Sequence, residues 1–484
     1  MGLTTEKIAH NTAFYTGGLI AQKIVSFFYF IIIARFLGAE DIGKYVLALS
    51  ITTILLIIID SGISPAITRE TARNKETASA YLPSIIIYKI IASVVIYFFA
   101  LAFVNFLGYP EITKQLVYLA GVVMVLDTFS LTFYAVLRGL HILKYESFAI
   151  SVYQLIVLAI GLGGLFMGAS VHILMVALIV ASTFNLIFAY SFLNKNVKIS
   201  FRENEYMKRF KEFMKYALPF AATAIFIKIH FASDTIILSL LSTERELGLY
   251  SVAHKFVFAL EFIPLAFVAT SFPALSTFFR ENKDMMMHVF NKSSFYLMLI
   301  ALPIVFGGYV IAEPLTHALY GKEFASSATS LSILLLGILF LFLNYPFGSF
   351  LGAIQRQKTN MYLMGVAVLT SLLLNIYLIP IYGGAGAAIA FFISSFILFV
   401  SYFIAIKIIL KISLKKYIMQ LANITIISFI MGVVVDLVLE SVHFLLATGI
   451  GAIVYIVLIF GTKVLSVQDI RELTGSLKNI KGSI

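Results

Sequence analysis

The stretch KIVSFFYFIIIARFLGAEDIGKY, residues 23–45, sets a lysine inside an apolar run and ends in a polar corner. The same arrangement returns 205 residues later. There Lys228 lies in another apolar run, and Gly248-Leu249-Tyr250 takes the place of Gly43-Lys44-Tyr45. This internal repeat predicts a chain built from two related halves. Because each copy keeps its lysine, we expect the halves to share a charged function.

The composition places the chain in a membrane. Hydrophobic residues make up 61% and charged residues 12% of the sequence, and the mean hydropathy is +0.99. Soluble domains are about 45–50% apolar and about 25% charged. The absence of cysteine excludes disulfides and thiolate metal sites. The net charge of +11 does not predict a nucleic-acid partner, because membrane topology accounts for where the positive charges lie.

Spans of about 20 apolar residues cross a bilayer, and the sequence predicts fourteen of them. With the N-terminus in the cytoplasm, most of the 35 lysines and arginines fall in cytoplasmic connections, as the positive-inside rule requires. The opposite face holds only Arg35, Lys44, Lys114, Arg245 and Lys322. The predicted spans enclose Lys23, Lys89, Lys228 and Lys255. We therefore predict a multi-pass protein of the cell membrane with both termini in the cytoplasm.

The charged stretch 194–212 divides the first twelve spans into two sets of six. A second internal sequence similarity supports the division, because residues 351–358 resemble residues 137–144 at an offset of 214. Six is an even number, so the repeats share one orientation and a pseudo-twofold axis along the membrane normal relates them. The predicted organisation is an N-terminal bundle over 1–193, a cytoplasmic linker over 194–212, a C-terminal bundle over 213–410, and helices 13 and 14 with a cytoplasmic tail over 411–484.

Three pieces of sequence carry a family resemblance. They are Ala34-Arg35-Phe36-Leu37-Gly38 leading to Gly43-Lys44-Tyr45, Asp60-Ser61-Gly62-Ile63 followed by residues 68–73, and Leu319-Tyr320-Gly321-Lys322-Glu323-Phe324. The set resembles polysaccharide-transporter (Wzx-type) flippases of the multidrug/oligosaccharidyl-lipid/polysaccharide superfamily. The resemblance implies a V-shaped pair of six-helix bundles that alternate access and pass a lipid-linked oligosaccharide through a central cavity. Helices 13 and 14 leave open a closer kinship with fourteen-helix lipid II flippases.

The lysines within the spans predict an anion site. Lys23 lies roughly 17 Å from either water layer at about 1.5 Å per helical residue. A charge at that depth costs about 2.5–3.5 kcal/mol, so it must face a wet cavity or a partner. Lys228 has the corresponding depth, and a polyprenyl diphosphate between the two amines would compensate both. The predicted substrate-binding residues are Lys23, Lys228, Lys255, Lys89, Asp127, Gln22 and Ser26.

An alternative remains open for each charged residue. The lysines also fit structural pairs with Asp60, Asp127, Asp234 or Glu261, and Lys89 and Lys255 lie near enough to an interface to snorkel. Asp60 also fits a role in ordering the turn that follows it, or in pairing with Arg69 or Arg73. The histidines fit satisfied interior residues as well as proton relays. The candidates for ion coupling are Asp60, Asp127, His230, Asp234, His254 and Glu261.

Three function classes follow. The preferred one is a flippase that moves polyprenyl-diphosphate-linked oligosaccharide from the cytoplasmic to the external leaflet for surface polysaccharide or glycoprotein assembly. The others are an ion-coupled drug or metabolite antiporter, and a membrane glycan polymerase or transferase. No phosphate-binding Gly-Lys-Ser/Thr loop occurs, so we expect no ATP hydrolysis on this chain, and we expect no cofactor, metal or enzyme activity. The expected partners are a polyprenyl- or dolichyl-(di)phosphate oligosaccharide, membrane lipid and glycan-assembly enzymes.

Overall fold

A computed structural model describes residues 5–197, 206–410 and 415–465. Within these ranges the side chains of residues 5–21, 207, 216–225, 227–228, 231, 410 and 415–416 are not described. The described residues form α-helices, one short 3-10 turn and connections. Their helices are α1 (Thr5–Asp60), α2 (Ile63–Arg73), α3 (Glu76–Phe106), α4 (Glu111–Gly139), α5 (Lys144–Phe166), α6 (His172–Asn196), α7 (Tyr206–Leu241), α8 (Glu244–Ala259), α9 (Phe262–Glu281), α10 (Lys283–Tyr320), α11 (Ser327–Ala353), α12 (Gln357–Leu410), α13 (Lys415–Leu439) and α14 (Phe444–Gly461).

The fold agrees with the prediction of an all-α protein with fourteen spans. Eleven continuous helical stretches of the described chain are long and apolar enough to cross a membrane. Two of them have 39 and 53 residues, about twice the length that one crossing needs. Each is interrupted by a glycine in a left-handed conformation, Gly38 with φ 78° and Gly383 with φ 56°. Counting these two stretches as pairs and adding α7 gives fourteen.

The described contacts divide the chain into two compact units, Met1–Ser239 and Leu240–Ile484. Helix α7 falls almost entirely in the first unit because its beginning packs on α3. Phe213 is fully buried there, Phe210 stacks on Tyr88 at 4.3 Å between ring centroids, and Arg209 donates to the carbonyl of Ala80 at 3.2 Å. The predicted boundary at 194–212 rests on the repeat and not on contacts, so it stays a prediction.

The repeat is visible in the backbone at two helix ends. After α4, His141 has φ 61°, and Ile142 N–H donates to Leu137 C=O at 2.9 Å. After α11, at the predicted offset, Gln355 has φ 62°, and Arg356 N–H donates to Leu351 C=O at 2.8 Å. Both turns end a helix with a residue in the left-handed region, as helices commonly do. Residues 137–144 and 351–358 therefore share a conformation as well as a sequence.

Each unit has a short interruption between two consecutive helices. In the first unit, α1 ends at Asp60, and Ser61 and Gly62 turn with φ of 44° and 74° before α2 begins. In the second unit, α8 and α9 meet at Leu260 and Glu261, where backbone N–H groups bond three residues back. Pro264 follows and removes one helical N–H. Such tightened segments within a helix often mark hinges.

Helices α13 and α14 attach to the second unit through α10. Tyr455 of α14 donates to the carbonyl of Leu299 at 2.7 Å, and Gly432 of α13 lies against Phe306. The second unit has an aromatic core in which Phe290 lies 5.0 Å from Phe347 and 4.7 Å from Phe350 between ring centroids. The core of the first unit gathers residues from α2 to α7. Each unit thus has the separate interior that a repeat of whole bundles requires.

Candidate functional site

The first predicted substrate residues lie together on α1. The side chain of Lys23 is exposed, and those of Gln22 and Ser26 beside it are half-buried. The side chain of Lys228 lies outside the described residues. The meeting of Lys23 with Lys228 across a twofold axis therefore stays a prediction. What the structure adds is that the Lys23 amine does not lie in the packed interior of its unit.

Lys89 has a different environment. Its side chain is fully buried, and its Nζ donates to Asp60 Oδ1 at 2.7 Å and to the carbonyl and hydroxyl of Thr128 at 3.0 and 3.1 Å. The three residues come from α1, α3 and α4, so the amine joins three helices. Its charge is matched by one carboxylate, and its three donors are all used. This is the geometry of a structural ion pair, the alternative that the sequence left open, and not of a snorkelling lysine.

Asp60 also orders the turn after α1. It accepts from the Ser64 hydroxyl at 2.6 Å and from the Ser64 N–H at 3.3 Å. The arginines of the following helix contact Glu70 instead, Arg69 at 2.9 Å and Arg73 at 3.7 Å. The Asp60 carboxylate therefore accepts hydrogen bonds from the turn that follows it and from Lys89. This leaves it poorly suited to the ion-coupling role for which it was a candidate.

Asp127 lies inside the first unit, near the middle of α4. Its carboxyl group faces Ser182 of α6 and Tyr153 of α5. It differs from Asp60 in having no salt bridge to any side chain that the structure describes. Two residues that share its helix are engaged elsewhere, because Ser130 donates to the Leu126 carbonyl and Tyr134 donates to Asn185 Oδ1 at 2.8 Å.

The second unit carries three mid-span groups on α8 and at its junction with α9. Lys255 and His254 are half-buried, and the His254 ring stacks on Phe258 with 4.1 Å between centroids. Glu261 lies at the interruption and accepts a short hydrogen bond from the Tyr345 hydroxyl of α11. The interruption changes the helical register between His254 and Glu261. The seven-residue spacing of the two side chains therefore does not place them on one face of a regular helix.

His230 and Asp234 occupy adjacent turns of α7. His230 is buried, and the carboxylate of Asp234 interacts with it electrostatically. Asp234 accepts from the N–H and the hydroxyl of Thr235 at 2.6 and 3.2 Å. No group of three His, Cys, Asp or Glu side chains able to hold a metal ion occurs in the described ranges. A relay through this pair stays a prediction.

Sequence reasoning missed the neutral partners of these charged groups. Thr128 follows Asp127 directly yet faces Lys89, and Tyr345 reaches Glu261 from another helix. Ser182 and Tyr153 lie near Asp127 because α6 packs on both α4 and α5. One signal was available, since an acid in mid-span requires polar neighbours. The sequence alone does not say which helix supplies them.

These features define a multi-pass membrane protein with a transporter fold. A solved structure of the lipid II flippase MurJ, in an inward closed conformation, aligns over 93% of this chain and 99% of its own, with a TM-score of 0.77 and 17% identity. An inward-facing multidrug resistance MATE family transporter aligns over 85% of this chain and 97% of its own, with a TM-score of 0.58 and 13% identity. At these identities the likeness establishes the fold.

Family membership follows from the sequence. The profile of the polysaccharide biosynthesis protein family matches residues 8–279, more than half of the chain, and that of the MatE family matches residues 219–377. The chain belongs to the polysaccharide biosynthesis protein family. It is 22% identical to the capsular polysaccharide biosynthesis protein CapF of Staphylococcus aureus, over 79% of this chain and 95% of that protein. It is 24% identical to the probable low-salt glycan biosynthesis flippase Agl15 of Haloferax volcanii, over 74% of each.

Proposed function

We propose that the protein is a flippase that carries a polyprenyl- or dolichyl-diphosphate-linked oligosaccharide from the cytoplasmic to the external leaflet. The family, the fold and relatives named for polysaccharide and glycan biosynthesis support this function. The sugar head would pass through the protein by alternating access while the lipid stays in the bilayer. The product would serve surface polysaccharide or glycoprotein assembly.

One observation supports this function most strongly, the contrast between two mid-span lysines of the first unit. Lys89 is fully buried, whereas Lys23 is exposed on α1 beside the half-buried Gln22 and Ser26. A cation kept accessible at membrane depth is costly unless it serves a ligand or an ion pathway. A diphosphate offers the charge and the acceptor oxygens that an ammonium group can bind. Lys228 and Lys255 are the further residues that we assign to the same head group.

The charge of the substrate also supplies a driving force. Moving one unit charge through 100 mV is worth about 2.3 kcal/mol, so a diphosphate with about two negative charges gains on the order of 5 kcal/mol on leaving an inside-negative cell. The membrane potential alone would then favour export. Ion antiport is the other route, and the acids of the spans are its candidates.

The test is flipping in proteoliposomes. The full-length protein is reconstituted with a fluorescent polyprenyl-diphosphate oligosaccharide, and its appearance in the opposite leaflet is followed with a membrane-impermeant quencher. Each charge-assisted contact is worth about 1.5–3 kcal/mol, and every 1.4 kcal/mol is tenfold. We therefore expect Lys23→Ala to slow flipping by about tenfold or more, and Lys23→Ala/Lys228→Ala to slow it further.

Lys114→Ala is the matched control. Lys114 lies in the first turn of α4, and its amine lies 3.8 Å from the exposed Glu111, so its loss should leave the flipping rate unchanged. Equal rates in the parent and the double variant, with both proteins folded, would remove the lysines from the head-group site. A parent that moves no lipid-linked sugar at all would remove the flippase itself.

The antiporter is the second candidate, favoured by the MatE match over residues 219–377 and by Asp127, an acid that forms no ion pair with a described side chain. The same liposomes distinguish it. An antiporter would accumulate a cationic dye or drug against an imposed ion gradient and leave the lipid-linked sugar in place. A polymerase or transferase would lengthen or consume that sugar, which chromatography of the recovered lipid would reveal.

A further inference from the structure

Two lysines and two aromatic rings form a cluster where α5 begins and α6 ends. The rings of Tyr145 and Phe192 stack with 3.7 Å between centroids and 21° between their planes. The Lys144 amine lies over the Tyr145 ring at 4.8 Å, and the Lys195 amine lies over the Phe192 ring at 4.9 Å. All four residues belong to the first unit. Each lysine of this lysine–aromatic cluster thus contacts one ring of a single stacked pair.

The two lysines are held in place without being neutralised. Both are exposed, and a cation–π contact at an exposed site is worth about 0.5–1 kcal/mol, so the rings restrict amines that would otherwise move freely. Neither lysine forms a salt bridge with a carboxylate that the structure describes. The neighbouring acid on α5, Glu146, is buried and contacts Arg138 at 2.9 Å. The cluster therefore presents two ordered positive charges.

An aromatic surface continues from this cluster along α6. Phe192, Phe188 and Phe184 follow one another every four residues, with 4.7 and 5.6 Å between neighbouring ring centroids. Phe148 of α5 lies 5.6 Å from Phe188 and is 56% exposed. Phe184 lies about 16 Å from Lys195 along the helix, at about 1.5 Å per residue. This length is about half of the hydrocarbon core, which is the depth of one leaflet.

The second unit repeats the lysine but not the rings. In the repeated turn, Lys358 takes the place of Lys144. The residue after it is Thr359, whereas Tyr145 follows Lys144, so this position offers no ring to hold a cation. Topology requires only that such lysines lie on the cytoplasmic side. The stacked pair is therefore a feature that topology does not explain.

Positive charges above an apolar column match an amphiphile with a negative head group. The predicted topology places this end of the first unit in the cytoplasmic leaflet, where anionic lipids create a negative surface potential and bind to basic sites between membrane helices. We propose that Lys144 and Lys195 bind the head group of an anionic phospholipid of that leaflet, with a hydrocarbon chain along Phe188 and Phe184. This lipid site does not depend on the proposed flippase function.

A tryptophan placed in the aromatic column tests the site. The chain has no tryptophan, so a single introduced one reports only on its own surroundings. Full-length protein with Phe188→Trp is reconstituted in mixtures of phosphatidylcholine and phosphatidylglycerol, one of which has brominated chains that quench a tryptophan they touch. Exchanging the brominated lipid at equal mole fraction gives the relative binding constant of the anionic lipid. Phe98→Trp, at a position of α3 that is 63% exposed, measures ordinary lipid contact.

We expect phosphatidylglycerol to bind several-fold more tightly than phosphatidylcholine beside Phe188→Trp, and with nearly equal affinity beside Phe98→Trp. A lysine near the surface is worth about 1 kcal/mol toward anionic lipid, or about fivefold in affinity. Lys144→Ala and Lys195→Ala should therefore each reduce the preference by about fivefold, and the double variant should abolish it. Tyr145→Leu should weaken it less, because the charges remain while one ring is lost.

Lys358→Ala is the matched control, because it removes the repeated lysine that lacks the rings, and it should leave the preference unchanged. Circular dichroism verifies that each variant is folded. Equal quenching by the two lipids at Phe188→Trp, or a preference that survives in Lys144→Ala/Lys195→Ala, would overturn the site. So would a loss in Lys358→Ala as large as that in Lys144→Ala, because the effect would then be one of general surface charge.

The substrate lipid is the competing occupant. If a small mole fraction of unlabelled polyprenyl diphosphate displaces the brominated phosphatidylglycerol, the two lysines belong to the substrate and the phospholipid site is overturned. If it does not, the phospholipid site stands. None of these measurements requires transport, so a protein that flips nothing but keeps the lipid preference would retain the site and lose the flippase function.

Discussion

At the scale of single residues, the Asp60–Lys89 pair is the interaction with the clearest energetic consequence. Lys89→Met removes the amine and leaves Asp60 buried without its counter-charge. Breaking a buried ion pair from one side costs about 3–5 kcal/mol, so we expect a loss of that size in the free energy of unfolding. Denaturant unfolding followed by circular dichroism measures it.

Two further variants distinguish this explanation from a loss of packing. In Lys89→Met/Asp60→Asn the neutral amide still accepts from Ser64, so most of the lost stability should return. In Lys114→Met a long ion pair with the exposed Glu111 is broken, and the expected change is within about 1 kcal/mol. A Lys89→Met loss no larger than that of Lys114→Met would contradict the role of the pair.

The same residues show how far the sequence leads. Spans, their number and the lysines inside them follow from hydropathy and charge, because a bilayer penalises polar groups wherever they occur. The sequence could not decide whether a lysine serves a substrate or an acid, because that depends on which helices touch. Lys89 and Lys23 look alike in the sequence, yet the side chain of one is fully buried and that of the other is exposed.

At the scale of elements, the packing of α1 on α5 depends on a glycine. A Cβ at Gly161 would collide with the Tyr29 hydroxyl, whereas a Cβ at Gly163 meets nothing within 4 Å. We expect Gly161→Ala to destabilise the protein by about 1–3 kcal/mol, as overpacking does. Gly163→Ala, two residues along the same helix, should be neutral or stabilising by up to about 1 kcal/mol.

Unfolding midpoints of the two alanine variants test this contact directly. Equal midpoints would mean that Tyr29 can move aside at no cost.

At the scale of the whole molecule, the charge asymmetry predicts which connections face each side. The chain has no cysteine, so single cysteines can be introduced without removing any. Lys144→Cys, at the start of α5, should react with an impermeant maleimide only from the cytoplasmic side. Lys114→Cys, at the start of α4, should react only from the outside. Labelling in the opposite sense would invert the predicted topology, and labelling of both from one side would contradict the span between them.

The buried ion pair also bears on how the chain enters the bilayer. A lone lysine at the centre of a helix costs about 2.5–3.5 kcal/mol during insertion. Asp60 precedes Lys89 in the chain, so the acid leaves the ribosome before the lysine does. Helix α3 can then enter the membrane next to the carboxylate of Asp60 and not as an isolated segment. The order of synthesis therefore favours insertion of α3, and the Lys89–Asp60 bond later holds α3 against α1.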